Sequence, residues 1–347
     1  MENTQKLFSY DKRIDRVEEI DHLTGPDSVT NFKKLQEADL YGTDLGISFD
    51  FNGKTVFLFG DSFNREKMLG RWNSNFIAYS KEVEFDKPVK LDEVIVNDEG
   101  IIKPFREGAH DDNELYLTKE DAEVTKIPTG AITIDGVAYI FYMSVSHWFH
   151  GEQDWIVRYN QCVKSADLSE WEDVKTIRFN LNDAPYFGQV YPLKDPNSDY
   201  IYLYGIHGGR HHGLSCLRVL SHNFLDMNEY EYLVGENLWV KGNEGLKRLK
   251  DSPYFISGPK VSEPCVFYNP YLAKYVLIHN FNGAAMYLSD NAYGPFNDKI
   301  SLIPGEHKPV YGSFTSKNLL DENGKVFYLT ASQWEEYNIY LYKVTLK

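Results

Sequence analysis

The sequence is poor in cysteine. Cys162, Cys216 and Cys265 are widely spaced and form no C-x-x-C pair. Three thiols cannot all pair, which argues against a disulfide framework or zinc knuckle and leaves buried, reduced thiols as the expectation. Positive charge is also in short supply: 36 Lys and Arg against 51 Asp and Glu give a net charge of −15. The basic groups form no stripe, so a nucleic-acid partner is not expected and polyanionic substrates are disfavoured. No apolar run reaches the ~18 residues of a membrane-spanning helix, so no membrane insertion is expected. The opening MENTQKLFSYDKRIDR lacks the apolar stretch of a signal peptide, and the chain as written reads as cytoplasmic. Neither H-E-x-x-H nor a D-x-D-x-D-G calcium loop occurs, so neither a metal nor an organic cofactor is expected.

Aromatic residues, by contrast, are abundant: 25 Tyr, 21 Phe and 6 Trp. They favour strands and suit flat, ring-shaped ligands such as sugars.

One pattern recurs five times: a small or polar start, a short strand, a turn, and an aromatic strand ending in polar residues. The segments are TDLGISFDFNGKTVFLFGDSF from Thr43, TGAITIDGVAYIFYMSVSHW from Thr129, GQVYPLKDPNSDYIYLYGIHGG from Gly188, SEPCVFYNPYLAKYVLIHNFNG from Ser262 and GSFTSKNLLDENGKVFYLTASQW from Gly312. Their Asn-Gly, Asp-Gly, Asp-Pro-Asn and Asn-Pro turns are those that hairpins need. Further strand patterns follow each hairpin, so each repeat reads as a four-stranded antiparallel sheet. Five such sheets predict an all-β protein, a five-bladed β-propeller formed as a single domain over residues 1–347. The last repeat has only three evident strands. A segment within residues 1–40, RIDRVEEIDHLTG, is the candidate for the fourth. A β-sandwich with irregular spacing is the competing architecture. The polar interval from Val96 to Thr125 reads as a long loop, and NFKKLQEADL as the best helix.

In the first hairpin, a two-residue turn at Asn52 and Gly53 places Asp44 opposite Asp61. Directly opposed residues have Cβ atoms about 4.5–5.5 Å apart, where like charges are destabilising, so folding stability alone does not explain the pair. The inner strands of a propeller line its axis, and each hairpin returns to the face where it began. The same mouth therefore collects Thr129, Ser146 and His147 from repeat two, Gln189 and His207 from repeat three, and Ser262, Glu263, His279 and Asn280 from repeat four. Ser313, Gln333 and Trp334 come from repeat five. Acids, imidazoles, amides and an indole in one pocket suit a sugar, because glycosidic cleavage needs an acid and a second carboxylate across the scissile bond.

YGTDLG with FGDSF, then IPTGAITIDGVAYIFYMSV, YIYLYGIHGGRHHG, YNPYLAKYVL and LTASQWEEYNIYLYKVTL resemble, in order, the landmarks of a bacterial family long catalogued only as a domain of unknown function. That family is grouped with the endo-D-arabinanases, glycoside hydrolases on a five-bladed propeller that cut D-arabinan of mycobacterial cell walls. The resemblance covers about residues 40 to 347. Thr43, Asp44, Leu45 and Gly46, with Gly60, Asp61 and Ser62, match the family's paired motif. The resemblance implies that Asp44 and Asp61 are the catalytic carboxylates, that D-arabinan is the substrate, and that the protein belongs among mostly exported relatives.

Expected roles follow. Asp44 and Asp61 divide into one protonated and one ionised group, Glu263 is a candidate assisting acid, and Thr129, His147, Gln189, His207, His279, Asn280, Gln333 and Trp334 are candidate substrate-binding groups. The partner is a polysaccharide or oligosaccharide, and a monomer is expected. A glycan-recognition propeller without catalysis is the alternative. A phosphorylase would need a basic phosphate cradle, for which there is no Gly-rich or Arg-Lys signal.

Overall fold

The computed structural model describes residues 11–150, 153–280, 283–306 and 308–347. Strand β1 (Ile14–His22) comes first. A sheet of β2 (Gly42–Phe51), β3 (Lys54–Arg65), β4 (Leu69–Asn73), β5 (Phe76–Ser80) and β6 (Glu93–Val94) follows. Next come β7 (Thr125–Ile134), β8 (Val137–His150), β9 (Gln153–Ser165) and β10 (Glu172–Asn180). The third sheet holds β11 (Gln189–Lys194), β12 (Tyr200–Ile206), β13 (Ser215–Leu220), β14 (Glu231–Gly235) and β15 (Leu238–Lys241). The fourth holds β16 (Cys265–Asn269), β17 (Lys274–Asn280), β18 (Gly283–Ser289) and β19 (Asp298–Pro304). The last holds β20 (Val310–Phe314), β21 (Val326–Gln333) and β22 (Asn338–Leu346), with β1 as its outer strand in the order β1-β22-β21-β20. The fold class is a five-bladed β-propeller with antiparallel blades.

Two blades exceed four strands. In the first, β3 runs past its partner β5 and pairs with β4 at its far end, as Ser62↔Asn73 and Phe63↔Trp72. In the third, β15 adds an outer strand and leads into the helix Gly242–Asp251. That helix was not expected from the sequence. Its Glu244 lies in the first turn and Arg248 and Lys250 in the last, the distribution that complements the helix dipole. The segment NFKKLQEADL forms a single short helix, Phe32–Glu37.

Middle strands such as β12 and β17 are buried along nearly their whole length, because both faces are packed. The outer strand β10 alternates exposed and buried positions instead. Among the described residues, no helix is long and apolar enough to cross a membrane.

The chain divides into two compact units. The first comprises Met1–Phe105, Glu263–Leu288 and Asp298–Lys347, and the second Arg106–Ser262 and Ser289–Asn297. Within the first, Phe57, Phe59, Phe76, Tyr328, Ile339 and Leu341 form a buried core, with Phe59 stacked on Phe76 at 4.3 Å. Within the second, Phe141, Phe179, Phe187, Phe224, Tyr230 and Tyr232 do the same.

Candidate active site

The β2–β3 hairpin turns at Asn52 and Gly53, whose φ values of 51° and 79° are those of a left-handed two-residue turn. From Phe51↔Lys54 to Ile47↔Leu58 the register is the one expected from the sequence. It then shifts on both sides of Leu45, which pairs with Phe59, and resumes at Thr43↔Ser62. Asp44 and Asp61 are therefore not a directly opposed ladder pair; both lie in the break. The physical cause is a pair of consecutive left-handed residues, Leu45 (φ 74°) and Gly46 (φ 71°), which bulge the strand.

Strand β21 pins this bulge. The Leu45 N–H donates to Ser332 Oγ at 2.8 Å, and Thr330 Oγ1 donates to Gly46 O at 3.0 Å. On the other strand, Ser62 Oγ lies 2.8 Å from Thr43 Oγ1 and donates to Gly60 O at 2.8 Å. Gly60 is needed for space: a Cβ there would lie 2.3 Å from Asp44 Oδ1. The T-D-L-G and G-D-S residues thus shape the backbone as well as supplying carboxylates.

Five aromatic side chains surround the two acids. Tyr311, on β20, donates to Asp44 Oδ2 at 2.9 Å, and Trp72 Nε1, on β4, donates to Asp61 Oδ1 at 2.8 Å. Tyr337, in the turn between β21 and β22, lies close enough to Asp44 and Asp61 to feel the charge of both. Burial raises the Tyr337 phenol well above its usual range, and Asp44, Tyr311 and Asp61 push it the same way. The backbone carbonyl of Tyr337 accepts from Thr43 N–H at 2.8 Å, tying the turn to the site. Trp334 meets Tyr337 edge-on at 5.8 Å and Tyr311 at 6.2 Å, while Phe63 stacks on Trp72 at 6.0 Å. Asp61 is 6% exposed and Asp44 half-buried, whereas Trp334 is 48% exposed. The cluster is an acidic pair with donors on each acid and an open aromatic wall beside it.

A cavity of about 700 Å³ lies in the same unit, lined by Gly283, Ser301, Pro304, Glu306, Pro309 and Val310 among others. Its lining residue Val310 is the immediate chain neighbour of Tyr311.

The remaining candidates serve the scaffold to different degrees. Gln333 Oε1 accepts from Glu335 N–H at 2.7 Å and Glu336 N–H at 3.3 Å, capping the turn that presents Trp334 and Tyr337. The Asn280 amide joins β17 to β20 by donating to Val310 O and Ser313 Oγ and accepting from Ser313 N–H. His279 is 4% exposed and stacks on Tyr287 at 4.7 Å; burial lowers its pKa to about 4, with Lys299 adding to the effect. Glu263 is buried in the bend two residues before β16.

In the second unit, Thr129 is a buried hub rather than a strand end, because β7 begins at Thr125 and shifts register between Pro128 and Gly130. Its Oγ1 donates to Val190 O at 2.8 Å and accepts from Asn160 Nδ2 at 3.1 Å. His147 Nδ1 donates to Asn113 O at 2.8 Å, and His207 Nδ1 to Gly208 O at 2.7 Å. Gln189 is buried at the start of β11, and its Nε2 has no hydrogen-bond partner among the described residues.

Among the described residues, His22, Asp27 and Glu336 bring potential metal-ligand atoms within 4.8 Å of one another, with the two acids exposed. Three groups at the centre of the site were missed from sequence: Trp72, Tyr311 and Tyr337. Tyr311 and Tyr337 flank segments already singled out, Gly312 onward and Gln333–Trp334. Trp72 follows the end of the first hairpin, and only the long β3–β4 pairing returns it to Asp61.

Residues 31–343 match the family described as "Domain of unknown function (DUF4185)". The chain belongs to the DUF4185 family. No curated protein matches this DUF4185 chain. Similar solved structures include one from Bacteroides ovatus, provisionally described as a hydrolase. It is 14% identical over 98% of this chain and 93% of that one, with a TM-score of 0.64. That likeness shows the fold. A GH43_1 enzyme from Xanthomonas citri complexed with xylose is 13% identical over 89% of this chain and 88% of that one, with a TM-score of 0.49. An α-L-arabinanase from Cellvibrio cellulosa complexed with arabinohexaose is 12% identical over 88% and 92%, with a TM-score of 0.47.

Proposed function

We propose that this protein is a glycoside hydrolase acting on a furanoside polysaccharide of arabinan type, with Asp44 and Asp61 as its catalytic pair. The observation that carries the reading is the meeting of both carboxyl groups with Tyr311, Tyr337 and Trp72 at a break in the β2–β3 ladder, beside the exposed face of Trp334. Glycoside hydrolysis needs two carboxyl groups in different protonation states. The protonated one gives its proton to the glycosidic oxygen as that oxygen leaves the anomeric carbon. The ionised one either activates the incoming water as a base or attacks the anomeric carbon to form a glycosyl-enzyme, which water hydrolyses with the first group now acting as base; by either route one water is added across the bond. The aromatic wall supplies an apolar surface for sugar faces.

A glycan-recognition role without turnover is the second reading. The exposure of Trp334 favours it, since a stacking platform binds sugar whether or not the acids act. Incubation of the protein and its Asp44→Asn and Asp61→Asn variants with furanoside and pyranoside polysaccharides, D-arabinan included, separates the two. Hydrolase action predicts released oligosaccharides with the native protein and none with either variant. Glycan binding by all three proteins with no product from any would overturn the catalytic reading.

A further inference from the structure

A phenol O–H is a hydrogen-bond donor, and an ionised carboxylate can only accept. Hydrogen bonds donated to the charged form of an acid stabilise that form. Asp44 receives the Tyr311 hydroxyl at 2.9 Å, and the Tyr337 phenol lies close enough to feel its charge. Tyr337 keeps its proton, because burial and the surrounding acids oppose its ionisation. Asp61 sits in a drier place, 6% exposed, and accepts the Trp72 indole N–H through Oδ1. A protonated carboxyl retains a carbonyl oxygen that accepts such a bond, so this contact is compatible with a neutral Asp61. Two anions beside one buried phenol would repel, and a shared environment of this kind drives the two protonation equilibria apart.

We propose that Tyr311 and Tyr337 are positioning residues that hold Asp44 as the carboxylate of the site and leave Asp61 as its carboxylic acid. Among the groups facing Asp44 are Tyr311 from β20, Tyr337 from the β21–β22 turn, and Asp61 across the hairpin break. Among those facing Asp61 are Trp72 from β4 and Tyr337. The assignment rests on the catalytic reading for its consequence, because it makes Asp61 the proton donor to the leaving oxygen. Its test requires no substrate.

The test is a 13C NMR titration of protein labelled at the aspartate carboxyl carbon, with Asp44 and Asp61 resonances identified by Asp44→Asn and Asp61→Asn. The expected result is that Asp61 takes up its proton at higher pH than Asp44. Tyr311→Phe and Tyr337→Phe, which keep the rings and delete the hydroxyls, each move the Asp44 midpoint upward, together by about one pH unit or more, a tenfold change in the equilibrium. Packing alone would leave that midpoint in place. Protonation of Asp44 before Asp61 in the native protein overturns the proposal, as does an Asp44 midpoint unmoved by removal of the hydroxyls. Should a Tyr variant fail to fold, the order of titration in the native protein still decides. Polysaccharide cleavage is scored separately, so an inactive protein with the expected titration order would remove the function and leave the assignment standing.

Discussion

Ser332 holds Leu45: the serine hydroxyl oxygen accepts the leucine backbone N–H at 2.8 Å across a sequence separation of 287 residues. Leu45 is left-handed and out of register with β3, so its N–H depends on this side chain. Ser332→Ala leaves a buried donor unpaired, a loss of about 1–3 kcal/mol. Urea unfolding should show that decrease, and turnover should fall further than stability alone explains, because Asp44 is the residue before the bulge.

Gly60 tests the acid's position with little cost to the fold. A Cβ there would lie 2.3 Å from Asp44 Oδ1, the end of a side chain able to rotate away. Gly60→Ala is expected to remain folded, with stability reduced by at most about 1–3 kcal/mol. Its polysaccharide cleavage should fall at least tenfold in kcat. Native turnover would mean that Asp44 acts from some other orientation.

Trp334 is half-exposed and packs edge-on against Tyr337. Trp334→Ala should alter the unfolding midpoint only slightly, since substitutions at exposed sites usually change stability by about 0.5 kcal/mol or less. If the indole carries a sugar ring, glycan affinity falls by roughly 0.5–1.5 kcal/mol, about 2- to 10-fold, as read by KM or calorimetry.

His279 makes stability depend on pH. Its folded-state pKa is lowered from 6.5 to about 4 by burial, with Lys299 contributing. The unfolded chain therefore binds more protons between these values, so stability falls as pH drops from about 6.5 toward 4. The full difference is roughly 3 kcal/mol at about 1.4 kcal/mol per unit. His279→Phe preserves a ring against Tyr287 and should flatten that part of the acid limb. Thermal unfolding at several pH values, native against variant, measures it.

Cys162, Cys216 and Cys265 are all buried, and burial raises the thiols of Cys162 and Cys216. An aromatic disulfide reagent should label none of them in native buffer and all three in denaturant. Rapid labelling of the native protein would show that their surroundings open readily.

Residue pattern alone specifies the blades and singles out Asp44 and Asp61. Alternating apolar positions and Asn-Gly or Asp-Gly turns act over a few residues, so the hairpin ending at Asn52–Gly53 was legible down to its register through Ile47↔Leu58. Beyond that point the packing of distant strands takes over. The bulge at Leu45 and Gly46 is held by Ser332 and Thr330, and Asp44 meets Tyr311 across 267 residues, so no local pattern could report either. Thr129 and Asn280 show the converse limit: they are polar residues of the kind that bind sugars, yet in the folded chain their hydrogen bonds join one strand to another. Residue type and periodicity specify local geometry, whereas the partner of a buried polar group is fixed only when distant strands pack together.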